Sequence, residues 1–432
     1  MRSPSHARSG VHPRSMLLLC GIVGLISISE RANAQELSLA DALLKVVVAD
    51  PVGQANDAHL QASRAAIVQA DIRPRDTVGV DIEDFVGTGA YSSLGRSQST
   101  GWYERTWERG GKREARVAAA EADVGVVAQR SRLRRLDRMA TVQESYVEAQ
   151  AAQAMLPVSE AALASAQSVQ LEVNRRAAAA LDPLFAVERA RTNVAQARIA
   201  LDQAREASRL ANIRLAAWWG GSGDIRTAME SFFRIDHAPT AAKGPEAEER
   251  APDVALLRAA EQSAAARIRV AESADTSDMT GRLGLRHFGD GNDVAVMVGG
   301  SIPLGSRAAN RGNIARAKAE QGAAQAELAV AQRDLELQVR QFVADRSLAV
   351  AEIGRIEREV IPSAERALAL VRAGYARGGT AFTFLEISQA QRSLDEARTR
   401  RVELLRRYHL AGARLDRLSG RHLSLVTSEE TR

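Results

Sequence analysis

The spacing of apolar residues changes along this chain in a fixed order, and the order occurs twice. Leu39, Leu43, Val46 and Val47 fall at helical spacing behind Ser38 and Asp41, a capping-box-like start. A second helix is expected over residues 56–71, ending before Arg73-Pro74 because the residue ahead of a proline is steered out of the helical region. The period then drops to two. Val78, Val80 and Ile82 alternate with Gly79, Asp81 and Glu83 up to Phe85, which predicts a strand. A glycine- and serine-rich loop over 87–101 leads to a second expected strand over 102–108. From Lys112 to residue 175 only Pro157 interrupts a helical pattern, and at 1.5 Å per residue about 60 residues span roughly 90 Å. A tight segment follows at 176–183, then a returning helix over 184–218 that stops at Gly220, a favoured residue just past a helix end.

The second copy lies about 200 residues on, and such self-similarity is the first thing to settle about a fold. Pro252 answers Pro51, Ala397-Arg398 answers Ala197-Arg198, Leu410-Ala411 answers Leu210-Ala211, and Gly420 answers Gly220. Strands are expected over 283–288 and 294–304, joined by a turn at 289–292. An outgoing helix over 313–373, a turn at 374–380 and a return over 381–418 complete the copy. Alanine and leucine recur three and four residues apart with Arg, Gln and Glu between them, an antiparallel coiled-coil pattern with small-residue seams. The expected division is residues 1–34 signal peptide, 35–220 first repeat, 221–251 connector, 252–420 second repeat and 421–432 tail. The connector, with Pro239, Gly244 and Pro245, reads equally as a flexible linker or as an ordered belt around the helices. The fold class is mainly α with a small β part, built on long helical hairpins in two tandem repeats.

Composition agrees with long helices rather than a thick globular core, since aromatic residues make up only 4% of the chain. Arg2, Arg8 and Arg14 precede an apolar stretch at 16–28 and the small-x-small site Ala32-Asn33-Ala34, so a secretory signal with a mature start at Gln35 is expected. Cys20, the only cysteine, falls inside that signal, which removes disulfide and thiol chemistry from the mature chain. Formal charge is +5 overall, and without the leader it is about +2, which does not call for nucleic acid. No later apolar run reaches the ~20 residues of a membrane helix, so an exported chain of this kind meets the membrane on its surface or as a β-barrel. Each copy offers two strands, four in all, and even small membrane barrels have about eight. The strands must therefore enter a shared barrel or be buried otherwise.

Motifs for chemistry are weak. Gly110-Gly111-Lys112 lacks the phosphate-loop pattern, because Thr106 stands where the first glycine is needed and Arg113 where Ser or Thr is needed. Gly87-Thr88-Gly89 is an isolated turn signature. His59, His237, His287, His409 and His422 are not paired at metal-ligand spacing, so neither a resident metal nor any cofactor is expected. Asp81, Glu83 and Asp84 suit either attraction of cations or plain contact with lumen water. No nucleophile–base or paired-carboxylate constellation stands out, and catalysis is not expected.

Together these residues resemble the TolC-like outer-membrane efflux proteins and, within them, the cobalt–zinc–cadmium resistance (CzcC-like) branch. The resemblance rests on Leu37-Ser38-Leu39-Ala40-Asp41-Ala42-Leu43, on Asp50-Pro51, and on Asp81-Ile82-Glu83-Asp84-Phe85 with Gly87-Thr88-Gly89. It rests also on the strand-to-helix junctions Gly110-Gly111-Lys112-Arg113 and Ser301-Ile302-Pro303-Leu304-Gly305, and on the stretch 375–388. Two positions depart from the branch pattern: Trp107-Glu108-Arg109 replaces a more apolar strand end, and Arg73-Pro74-Arg75-Asp76 stands in place of Pro-Asn-Pro. The resemblance implies a homotrimer whose protomers each give four strands to a twelve-stranded barrel in outer-membrane lipid, above a helical tunnel in the periplasm. It implies a periplasmic adaptor and an inner-membrane resistance–nodulation–division (RND) pump as partners, and divalent heavy-metal cations as cargo. The expected adaptor-contact and gating residues are the hairpin tips, Asp182, Pro183, Leu184 and Phe185 in the first copy and Gly374, Gly378, Gly379 and Thr380 in the second. Arg372 and Glu386 form a candidate ion pair at the constriction, with an ordinary exposed pair as the alternative. Alternatives in function are the same duct serving drug efflux or type I protein secretion and, from another class, an exported coiled-coil scaffold without a pore.

Overall fold

The computed structural model describes residues 36–49, 51–91, 94–235, 251–377 and 382–427. The expected signal peptide, residues 236–250 of the connector, and Gly378, Gly379 and Thr380 lie outside the described residues. Helix α1 (Leu39–Ala49) starts where the cap predicts: the Asp41 amide donates to Ser38 Oγ at 3.1 Å. Its buried residues Ala42, Leu43 and Val46 follow the helical period. Helix α2 (Pro51–Ala70) begins five residues earlier than the expected start, at its proline. Its end is held by Arg116, whose guanidinium donates to the carbonyls of Ala70 and Ile72 at 3.3 and 3.2 Å.

Four strands form one antiparallel meander, β1 (Thr77–Glu83), β2 (Gln98–Trp107), β3 (Met279–Phe288) and β4 (Val294–Ser301), in that spatial order. The central pairing β2–β3 joins the two sequence copies. β2 and β3 each begin four residues earlier than the pattern alone suggests. β4 stops at Ser301 rather than 304, ahead of Pro303, which has no N–H for a ladder.

The first hairpin pairs α3 (Lys112–Ala178) with α4 (Leu184–Ala216). α3 runs unbroken through Pro157 for 67 residues, although an interior proline removes one helical hydrogen bond and costs about 3 kcal/mol. The chain then crosses a short helix α5 (Glu230–Phe233) and enters α6 (Pro252–Ser273), whose first residue is the proline that marks the second copy. α7 (Ser306–Arg355) opens at Gly305, seven residues ahead of the expected start, and passes through a π-helical turn, Ile356–Val360, into α8 (Ile361–Ala376). The wider turn sits directly before Pro362, where a regular helix would need an N–H that proline lacks. α9 (Phe384–Ser419) returns, and α10 (Leu423–Thr427) closes the described chain.

Burial is spread through thin seams. Leu43, Val46, Val142, Tyr146 and Leu215 form one cluster; Phe232, Ile353, Leu404, Leu405 and Tyr408 form a second nearer the tips. Residues 221–235 of the connector lie across both as an ordered belt. Leu37 and Thr227 form a parallel bridge, Gln150 donates to the Ala228 carbonyl at 2.6 Å, and Phe232 is fully buried and stacked on His409. Arg417 on α9 ties the bundle laterally, donating to Asp137 on α3 at 2.8 Å and pairing with Asp253 on α6.

Both sheet-to-helix junctions turn on glycine. Gly111 caps α3 at φ 70 and Gly305 caps α7 at φ 81, a region L side chains avoid. Gly110, at φ 75, also packs so closely that a Cβ would come within 2.6 Å of Thr276 Cβ. Gly110→Ala is therefore expected to destabilise the protein by about 2 kcal/mol, from left-handed strain plus overpacking. Thermal unfolding of the purified variant in detergent checks this; an unchanged midpoint would contradict the close approach.

Candidate functional site

The sheet register sorts side chains by face. On one face, Val78, Tyr103, Leu283 and Val298 form a row across the strands; Val80, Gly101, Leu285 and Val296 form the next. All the large apolar members of these rows are exposed. On the opposite face, Asp81, Thr100 and Arg286 line up, as do Glu104 and Arg282. Arg286 donates to Glu83 at 2.7 Å and to Thr100 and Gln98 at 2.9 Å each. Arg282 binds Glu104 at 3.0 Å, lies 3.8 Å from Asp81, and stacks on the Trp102 ring at 4.0 Å. Asp81 and Glu83 thus have arginine partners rather than standing as a bare cation-attracting row. Asp84 leaves the strand at φ 57 and accepts from Gln98 at 3.0 Å. An apolar exposed face opposite a charged one is the pattern of a strand set between lipid and a wet lumen. The outer edges of β1 and β4 have no partner strand among the described residues.

The first hairpin tip is built around a buried ion pair. Arg176, in the last turn of α3, grips Asp182 with Nε at 3.1 Å and Nη2 at 3.3 Å. Its Nη1 donates to the Tyr375 carbonyl of α8 at 2.6 Å, and its guanidinium lies 4.2 Å from the Tyr375 ring centroid. The Tyr375 hydroxyl donates to the same Asp182 carboxylate. One carboxylate therefore locks the turn of the first hairpin to the outgoing helix of the second. Val169, Val173, Ala186, Leu368 and Ile387 pack around it. Hydrogen bonding to Asp182 raises the Arg176 pKa, and burial, reinforced by Asp182, raises that of the Tyr375 hydroxyl. Both shifts stabilise the protonated form, so their contribution is complete below the unfolded tyrosine value of ~10 and is lost only as pH climbs through the raised value.

The other tip residues divide. Pro183 is the N-cap of α4, and Leu184 and Phe185 project into solvent at 78% and 63% exposure. Gly374 is not in a turn: α8 continues to Ala376, and the Phe382 ring lies where a Gly374 side chain would be. Arg372 and Glu386 do not pair. Arg372 is half-buried and donates to the Ser165 carbonyl, Ser165 Oγ and Ser168 Oγ at 3.0, 2.9 and 2.8 Å, bridging α8 to α3. Glu386 closes a capping box on Thr383, accepting from its amide at 2.8 Å and from its hydroxyl, and the hydroxyl bond first, then the backbone amides, lowers its pKa. Each found a nearer partner than the other. Gly110, Gly111, Lys112 and Arg113 form the first junction, where Lys112 binds Asp278 at 2.7 Å and Arg113 binds Asp71 at 2.9 Å. At the second, before Gly305, the Pro303 carbonyl accepts from Ser277 at 2.5 Å. The roles of Arg176, Tyr375 and Ser165 are not visible in the sequence reading, since no local pattern tells which residue 200 positions away will lie opposite. No group of three His, Cys, Asp or Glu suited to a metal occurs among the described residues, and no described helix is long and apolar enough to cross a membrane.

A sheet with one apolar and one charged face, mounted on two long coiled-coil hairpins, defines a protomer of an outer-membrane channel. Residues 244–421 match the family described as outer membrane efflux protein. The cobalt-zinc-cadmium resistance protein CzcC of Cupriavidus metallidurans is 27% identical over 84% of this chain and 85% of its own length. The nickel-cobalt-cadmium resistance protein NccC of Alcaligenes xylosoxydans xylosoxydans is 30% identical over 64% of this chain and 62% of its own. The crystal structure of the outer membrane protein VceC from Vibrio cholerae superposes with a TM-score of 0.71 at 21% identity, covering 88% of this chain and 96% of that one. The efflux-protein match over residues 244–421 and the two resistance-protein relatives together support the TolC-like outer-membrane efflux family and its CzcC-like branch.

Breaking the Asp182 lock leaves a charge or a carboxylate without its partner. Tyr375→Phe is expected to cost about 1–3 kcal/mol, the price of an unmet hydrogen bond to a buried anion. It should speed hydrogen exchange of the amides around 176–186 and 370–376, while wild-type protection stays flat from about pH 6 to 9 once intrinsic rates are removed, because both raised values lie above that window. A protection step inside the window would contradict the assignment.

Proposed function

We propose that this chain is the outer-membrane duct of a three-part exporter of divalent heavy-metal cations, in which three copies close one barrel. A periplasmic adaptor meets the helical tips and an inner-membrane RND pump supplies the energy. The observation that supports closure by copies is the open four-stranded sheet. Hydrocarbon tolerates no unpaired strand edge, and four strands are about half of the smallest membrane barrel. Three copies bring β4 of one protomer against β1 of the next and leave no edge. The metal cargo rests on the likeness to CzcC over 84% of the chain. Passage through a wide, wet, weakly binding tunnel needs no resident site, since conduction fails where binding is tight.

In this reading the tips are both docking surface and gate. Exposed Leu184 and Phe185, with Leu181 beside them, offer an apolar patch to the adaptor. The Arg176–Asp182–Tyr375 lock holds the two hairpins together at the same end. Unpairing a buried ion pair costs about 3–5 kcal/mol, which moves a closed/open ratio by roughly a hundredfold or more.

Two experiments test this. A deletion strain grown on graded zinc, cobalt, cadmium, nickel, copper and silver should be selectively metal-sensitive and recover when the gene is restored. Sensitivity to detergents and antibiotics alone would keep the duct and discard the metal cargo. Asp182→Ala should raise the leak conductance of the purified trimer in planar bilayers, and conductance equal to wild type would remove the gate from this tip.

A further inference from the structure

The exposed apolar face of the sheet ends abruptly where the strands give way to helices. Beyond the row of Val78, Tyr103, Leu283 and Val298 comes the pair Arg105–Asp76, at 3.8 Å. The next position on that face of β2 is Trp107, which packs over Gly281 beside Met279. Past the strand ends, Ile302 and Leu304 are exposed, Leu304 at 93%. Exposed apolar residues just past the strand ends, with Trp107 at the same end of the sheet, mark the depth where hydrocarbon gives way to headgroups.

Arginines cluster at this depth. Arg73 and Arg75 lie between α2 and β1, Arg109 between β2 and α3, and Arg307 and Arg311 one turn apart on one face of α7. All five are exposed, and none of their guanidinium groups has a hydrogen-bond or ion-pair partner among the described residues. This contrasts with every neighbouring cation. Arg105 pairs with Asp76, Lys112 with Asp278, Arg113 with Asp71 and Arg116 with Glu108. The far end of the sheet is of opposite character: Asp84, Asp290 and Asp293 occupy its turns, and the one arginine there, Arg96, lies 3.6 Å from Asp290. Arg73 also lines an open cleft of about 530 Å³ walled by Ile72 and Trp107, where Arg105 and Arg113 are already paired with Asp76 and Asp71.

We propose that these five arginines form a belt that binds the phosphate groups of phospholipids in the periplasm-facing leaflet. The proposal rests on the reading of the sheet as a membrane barrel. A guanidinium matches phosphate oxygens two at a time. Five unpaired ones, on the loops and the first turns of helix that leave this end of the apolar face, are placed to meet headgroups there. The loops that carry them are fixed: Arg116 holds the 70–72 carbonyls, Asp278 accepts from the Arg109 amide at 3.2 Å, and Asn310 donates to the Ala271 carbonyl at 2.6 Å. The belt sets how deep the barrel sits, and so the height of the tunnel below it.

The test is native mass spectrometry of the full chain, delipidated in detergent and titrated with phosphatidylglycerol, with diacylglycerol and inorganic phosphate as separate arms. Wild type should bind phosphatidylglycerol far better than diacylglycerol, less well as salt rises, and with no competition from millimolar phosphate. The variant R73Q/R75Q/R109Q/R307Q/R311Q should lose about tenfold or more in apparent affinity. Equal binding by the variant, equal binding of diacylglycerol, or displacement by inorganic phosphate would each overturn the belt. Should the fivefold variant fail to assemble, R307Q/R311Q, on the exposed face of a helix, is expected to lose about threefold, and no loss there counts against the proposal. Failure of the barrel reading is distinguishable: the wild-type chain would then be absent from outer-membrane fractions and show no heat-modifiable oligomer.

Discussion

The rest of this molecule depends on a hydrogen-bonding constraint. A strand in hydrocarbon must have both of its edges paired, because no water is present to satisfy a free N–H or C=O. The four-stranded meander meets that condition inside and breaks it at β1 and β4. Its faces are already sorted, valine and leucine on one side and the Arg282 and Arg286 ion pairs on the other. An object with finished faces and unfinished edges has the form of a sector of a barrel, and this is the ground for the proposed closure by copies.

The helices below solve a different problem with the same economy of side chains. A tunnel wall must be thin, so it cannot bury a thick core, and the chain packs long helices through alanine and isolated large residues. Lateral strength then comes from charge and from the belt. Arg417 joins three helices, and the buried segment around Thr227 and Phe232 crosses α3 and α9. These contacts lie where the two repeats meet, so one covalent connection does the work of both linker and strap.

At the far end one carboxylate, Asp182, ties the two hairpins together. A buried ion pair contributes little net stability when intact, because desolvation offsets the attraction, yet it is costly to break on one side only. Arg372 contributes in a gentler way, held by serine oxygens rather than a carboxylate. Both sets of polar contacts lie on the tip side of the π-helical turn Ile356–Val360, and they join α8 to the first hairpin.

Much of this was legible in the chain as written. The alternation from Val78 to Ile82, the helical period of Leu39, Leu43 and Val46, and the paired stops at Gly220 and Gly420 are consequences of local backbone geometry, which acts over a few residues. The junction glycines were legible for the same reason, since a strand cannot become a helix there without a left-handed residue. What the tertiary structure alone decided was partnership. Arg372 and Glu386 lie near each other in sequence and were matched as charges, but serines brought in by α3 and the amide of Thr383 stood closer. Arg176 and Tyr375 are 199 positions apart and meet only because both hairpins end at one level. The extent of α7 and the helical state of Gly374 were likewise settled by packing against neighbours. Periodicity is written into each segment. The choice of partner depends on the register between segments, and only the assembled chain supplies it.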